Sequence, residues 1–209
     1  MPNKLVDTSV SQLLEAFASS APTPGGGSAS ALAGAVGASL LLMVASLPKT
    51  RSGSVEDRSA LTDAREALSP AARELAELVD RDAEAYDRVV AAYRLPKATD
   101  PEKAARRDAI QRGTRGAIDT PLAMLRAVHT AARAAVAVAR HGNRSAASDV
   151  IVAAALLDAA ASGAYANVTI NLGGLKEEGP ESELAREART LREAIGAEAV
   201  AARAACAAD

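Results

Sequence analysis

Three stretches of the 209-residue sequence bring together residue types that do chemistry. The first is Pro22-Thr-Pro-Gly-Gly-Gly-Ser28. Two prolines and three glycines do not make a helix, so residues 21–27 read as a tightly turning loop with Ser28 as N-cap of the helix behind it. Without Cβ atoms, Gly25, Gly26 and Gly27 let a ligand approach the backbone. First-turn N–H groups, with a helix dipole behind them, suit an anion or a polar edge. No Gly-Lys-Ser/Thr follows, so this is not a Walker loop, and no strand precedes it, so it is not a dinucleotide fingerprint. A plain helix-to-helix turn explains the glycines equally well.

The second stretch is Asp80–Lys97. Asp82, Tyr86, Val89 and Tyr93 form one helical stripe, Pro96 ends the helix, and Lys97 sits on the turn. A partly desolvated lysine there has a lowered pKa and serves as base or acid. The plainer reading packs the tyrosines and leaves the charges in water. The third stretch is His141-Gly-Asn143, Ser148-Asp149, Asn167 and Asn171. Asn167 and Asn171 share a face and, once buried, need a ligand, a neighbouring helix or a second chain as partner. Asp149 has the azimuth of Asn167 but stands about 27 Å before it along the helix. One small substrate therefore cannot touch both from one helix: one of them is structural, or a partner chain brings them together. Ser148 and Asp149 also suit a cap and a first-turn charge.

Other chemistries are excluded. His129 and His141 lie about 18 Å apart on a helix, and with the single Cys206 they build no closed zinc site. No strand-turn-helix elbow exists for a Ser-His-Asp hydrolase. A net charge of −2 and 2% aromatics leave neither a phosphate-neutralising field nor a base-stacking platform, so no nucleic acid is expected. One cysteine allows no internal disulfide, and Met1–Asp7 lacks the pattern of a secretion signal, so a cytoplasmic location is expected.

The elements that must position these residues are helices. About a quarter of the chain is alanine, the best helix former. The pattern predicts an all-α, multi-helix antiparallel bundle, one domain over residues 1–209. A first helix follows the Ser9–Gln12 capping box. A second, Ser28–Leu47, is rich in Gly and Ala and carries no charge. It reads as the buried central helix and as a candidate dimer core. Its length would also span a bilayer, but its small residues and the lack of a second span favour a bundle, so no membrane is expected. Further helices cover Val55–Arg94, with a kink or restart at Pro70, and a stretch capped by Asp100-Pro101-Glu102 that runs to His141, with the same expectation at Pro121. The last two run from Ser145 or Ser148 through Asn171 to Gly173-Gly174 and from Ser182 to about Ala205.

The Pro22–Ala35 block resembles the start of the cyclodeaminase/cyclohydrolase family, which includes stand-alone methenyltetrahydrofolate cyclohydrolases and the C-terminal domain of formiminotransferase-cyclodeaminase. Asp82-Ala-Glu-Ala-Tyr86, Leu95-Pro-Lys97, and Gly142-Asn143 through Ser148-Asp149 to Asn167-Val-Thr-Ile-Asn171-Leu are similar to it in the same order. The resemblance implies an all-α homodimer acting on a tetrahydrofolate one-carbon derivative with no metal, nucleotide or other cofactor. It favours hydrolysis of methenyltetrahydrofolate, with formimidoyltetrahydrofolate cyclodeamination as the alternative and a non-catalytic helical interaction protein as a further one. Under it, Lys97 and Asp82 transfer protons, as an ion pair or separately. Gly25, Gly26, Gly27, Ser28 and Tyr86 bind substrate. Asn143, Asp149, Asn167 and Asn171 orient the pterin or the partner chain. Arg106, with Arg107 beside it, meets the glutamate carboxylates.

Overall fold

The structure, a computed structural model, describes residues 4–175 and 182–207. Met1–Asn3 of the N-terminal reading lie outside the described residues. All regular structure among the described residues is helical: α1 Val10–Ala18, α2 Gly26–Ala45, α3 Val55–Tyr93, α4 Asp100–His141, α5 Ala147–Leu172 and α6 Glu183–Ala207, with short 3₁₀ turns at Leu5–Asp7 and Arg144–Ala146.

Local sequence sets the helix starts. Ser9 and Gln12 form the expected capping box of α1. Thr99, not Asp100, caps α4 in a second box with Glu102, because its hydroxyl accepts the Glu102 amide while Asp100 and Pro101 enter the first turn. α3 and α4 run unbroken through Pro70 and Pro121. Leu68, Ala71 and Leu75 are buried around the first proline, and Ile118, Leu122 and Leu125 around the second. At about 2 kcal/mol per buried leucine or isoleucine, that packing exceeds a helix proline's cost of about 3 kcal/mol.

α3 and α4 form a long antiparallel pair, and α2 lies against both while pairing with α5. Glycines on α2 make these approaches close. A Cβ at Gly34 would crowd Leu75 and Val128, and one at Gly37 would crowd the Ala153 carbonyl and Leu157. α6 closes the bundle over α4 and α5. α2 is covered on one side only: Ala29, Val36 and Met43 are exposed. Among the described residues three helices could cross a membrane by length and composition, α2, α4 and the stretch Arg144–Leu172, where the sequence alone suggests one. The extra two arise because alanine keeps hydropathy high along α4 and α5 even where the helices pack against one another.

Candidate active site

The glycine run does not end in a loop. α2 starts at Gly26 with Gly25 as N-cap, and Ser28 is not a cap but a fully buried first-turn residue. The reason lies across the bundle. The Ser28 hydroxyl donates to the Val79 carbonyl (2.8 Å) and approaches Asp82 Oδ2 (3.3 Å), so α3 takes the group that would have capped α2. Gly27 packs directly on the Asp82 carboxylate, in space a Cβ would fill, whereas a Cβ at Gly26 would meet nothing within 4 Å. The Gly26 and Gly27 amides have no acceptor among the described residues. On α5, Gly163 faces Ser30 and the Gly26 carbonyl at the same level, and Asn167 follows one turn further out.

Asp82 is therefore a half-buried carboxylate at the mouth of α2, beside amides left open. Burial raises its pKa above the ordinary value, against the hydrogen bonds from the Ser28 hydroxyl and amide, which lower it. α3 continues eleven residues past Asp82 to Tyr93, about 16 Å, and α5 nine past Gly163 to Leu172, about 13 Å. Tyr86 and Tyr93 stand exposed on this extension, on the face of α3 that carries Asp82. Both α3 and α5 therefore run on past the level at which α2 begins. The N-terminal segment is tied to α3 by the Leu5 amide, which donates to Asp80 Oδ1 (2.6 Å).

The remaining sequence candidates are distributed as follows. Lys97 lies exposed on the turn after α3 and forms no ion pair with Asp82 within the chain, because α3 carries it beyond those eleven residues. Arg106 is turned to structure: its guanidinium donates twice to the Tyr93 carbonyl (3.2 and 3.1 Å) and stacks 5.4 Å from the Tyr93 ring. Arg107 is exposed. Asn171 staples α5 to α4 by donating to the Ala117 carbonyl (3.1 Å). Asn143 and Asp149 are at the opposite end of the bundle, with the C-terminus of α4. There the Asn143 side chain accepts the Ser145 amide (3.0 Å). One chain thus brings together Gly25–Ser28 and Asp82, with Asn167 and Tyr86 about one turn further along α5 and α3, and leaves Asn143 and Asp149 nearly the length of α2 away.

One residue escaped the sequence reading. Asp57, buried in the first turn of α3, accepts the Ser52 amide and hydroxyl (2.7 Å each) and the Thr50 hydroxyl (3.2 Å), and lies 2.9 Å from His141 Nδ1. The Ser52 amide foremost, then His141, holds its carboxyl far below the usual carboxylate range. Its only sequence signal is the Ser54-x-x-Asp57 spacing of a helix start. Among the described residues no three His, Cys, Asp or Glu side chains converge to hold a metal ion.

A family model described as formiminotransferase-cyclodeaminase matches residues 9–190. A methenyltetrahydrofolate cyclohydrolase of Methylorubrum extorquens is 39% identical over 195 residues, 93% of this chain and 92% of that one. The formimidoyltransferase-cyclodeaminase of Gallus gallus is 32% identical over 189 residues, 90% of this chain but 35% of that protein. The crystal structure of a formiminotetrahydrofolate cyclodeaminase from Thermotoga maritima matches with a TM-score of 0.85 over 98% of both chains, and at 24% identity the likeness is one of fold.

Proposed function

The chain belongs to the formiminotransferase-cyclodeaminase family, and from that premise we propose that it is a methenyltetrahydrofolate cyclohydrolase, converting 5,10-methenyltetrahydrofolate and water to 10-formyltetrahydrofolate. The observation that carries the reading is the Asp82 carboxylate, pressed on Gly27 beside open amides and raised toward neutrality by burial. The 39% identity to a cyclohydrolase of nearly the same extent favours this activity over cyclodeamination.

The chemistry asks for a positioned proton carrier, not for activation of the carbon, because the methenyl carbon is already cationic. Water adds to that carbon, and Asp82 accepts the proton it loses. The C–N5 bond then breaks as the new hydroxyl becomes the formyl carbonyl. N5 takes the proton from Asp82, and the hydroxyl proton leaves to solvent. One water is consumed and one proton released. A carboxylate with a raised pKa suits both halves of this exchange. The Gly26 and Gly27 amides would hold a polar edge of the pterin, Tyr86 would flank it, and no resident cofactor takes part. Lys97 is the second proton-transfer candidate, and its distance along α3 makes Asp82 the one expected to act at the reacting carbon.

The site is completed in this reading by a second copy of the chain. The exposed faces of α2 and α5 are mainly apolar and recur at coiled-coil spacing: Ala29, Val36 and Met43 on α2, with Val152, Ala155, Ala159, Ala166 and Ile170 on α5, interrupted by the hydroxyls of Ser39, Ser162 and Thr169. Pairing these faces about a two-fold axis across the helices would bury α2 on every side. It would also turn the partner's Asn143 and Asp149 toward the Gly25–Ser28 end, which accounts for their separation within one chain. The same pairing covers the most apolar helices in a cytoplasmic protein without a membrane.

The test is the rate of loss of methenyltetrahydrofolate absorbance over the uncatalysed rate, with ammonia release from formimidoyltetrahydrofolate measured in parallel. Accelerated hydrolysis supports the cyclohydrolase. Ammonia release alone assigns the cyclodeaminase, which the names of the Gallus gallus and Thermotoga maritima relatives favour. Neither activity leaves a helical interaction protein.

A further inference from the structure

Ser28 cannot hold a ligand by its side chain, because it is fully buried under α3. Its oxygen lies 2.8 Å from the Val79 carbonyl and 3.3 Å from Asp82 Oδ2, and a hydroxyl has a single proton for these two acceptors. The Val79 carbonyl lies inside α3, where the amide four residues on already serves it, so the bond from Ser28 is optional there. Among the described residues the carboxylate has no other hydroxyl or charged donor. α2 and residues 19–25 carry no charged residue. On α3, the neighbours of Asp82 at one turn are Leu78, Val79, Ala85 and Tyr86, and Arg81 and Glu84 are exposed. On α5, Asp158 is paired with Arg192 (3.0 Å), and on α4, Asp119 is paired with Arg115 (3.1 Å).

We propose that Ser28 is a positioning residue whose hydroxyl proton alternates between the Val79 carbonyl and the Asp82 carboxylate, in step with the proton on Asp82. When Asp82 is protonated, its own O–H donates to Ser28 Oγ, and Ser28 donates to Val79. When Asp82 is ionised, Ser28 rotates about its Cβ–Oγ bond and donates to Oδ2. No heavy atom moves by more than a few tenths of an ångström. Gly27, with no Cβ, keeps the carboxylate within reach in both states. The proposal rests on the reading that Asp82 exchanges a proton with substrate.

The experiment compares wild type, Ser28→Ala and Ser28→Cys. The Asp82 carboxyl is titrated by carbon NMR in protein labelled at aspartate carboxyls, with its resonance assigned through Asp82→Asn. The pH profile of kcat for methenyltetrahydrofolate hydrolysis is measured beside it. Removing the hydroxyl takes a hydrogen bond from the charged form, so Ser28→Ala should move the Asp82 midpoint up by about one pH unit. The acid limb of kcat moves with it and KM stays. Ser28→Cys, a weaker donor, should fall between, and it alone decides if Ser28→Ala does not fold. A midpoint within about 0.2 unit of wild type, or below it, overturns the proposal and leaves the hydroxyl as a strut to Val79. If wild type shows no turnover, the folate reading fails while the carboxyl titration still decides the role of Ser28.

Discussion

Asp82→Asn keeps the shape of the side chain and removes its proton exchange, so hydrolysis should fall by about 10²–10⁴-fold with the helical circular dichroism unchanged. The wild-type rate should also fall in acid. With the Asp82 pKa raised above its usual value, the base form is lost at a higher pH than for an ordinary aspartate. Gly27→Ala should cost turnover far more than Gly26→Ala in the same assay, because only the first added methyl meets the Asp82 carboxylate. Lys97→Met should leave the protein folded and lower turnover by orders of magnitude if Lys97 shares the proton transfer. An unchanged kcat with a raised KM would make it a substrate contact only. At this scale the sequence makes Asp82 and the glycines visible as chemistry-bearing types. It does not show that Ser28 turns inward. That depends on which helix lies opposite, and a cap residue and a buried strut look alike in one dimension.

The connections between helices carry their own prediction. Asp57 ties the α2–α3 loop, through Thr50 and Ser52, to the end of α4 at His141. Its folded pKa is depressed, so the unfolded chain binds its proton more readily. The stability it contributes is present above the unfolded value near pH 4 and lost as pH falls below it. Asp57→Asn should therefore lower the melting temperature most at neutral pH, with the gap to wild type narrowing below about pH 4. Helix number and order were legible, since Ser9–Gln12, Pro96 and Gly142-Asn143 punctuate the chain by simple sterics and hydrogen bonding. The straight passage of α3 and α4 through Pro70 and Pro121 was not, because it is decided by burial of Leu68, Leu75, Ile118 and Leu122 against other helices. Asp57 escaped for the same reason, its main partners lying on a loop and 84 residues away.

For the assembled molecule, Val36→Glu is the informative substitution. Val36 is 44% exposed in the single chain, so a glutamate there is tolerated by the fold. In the proposed dimer it would lie in an apolar seam. Sedimentation should then show a monomer for Val36→Glu and a dimer for wild type, with hydrolysis reduced in the monomer because the partner's Asn143 and Asp149 are missing. A dimeric Val36→Glu would overturn the pairing. Periodicity marked α2 as apolar all round, but a sequence does not say whether such a face is covered by its own chain or by another.

α2 begins at Gly26, while α3 goes on to Tyr93 and α5 to Leu172. The space beside Asp82 is thus set by unequal helix lengths before any single side chain enters it. Grafting one extra turn, about 5.4 Å, onto the front of α2 would fill that space while leaving every packing layer behind Gly27 in place, and hydrolysis should then be lost from a chain that still folds.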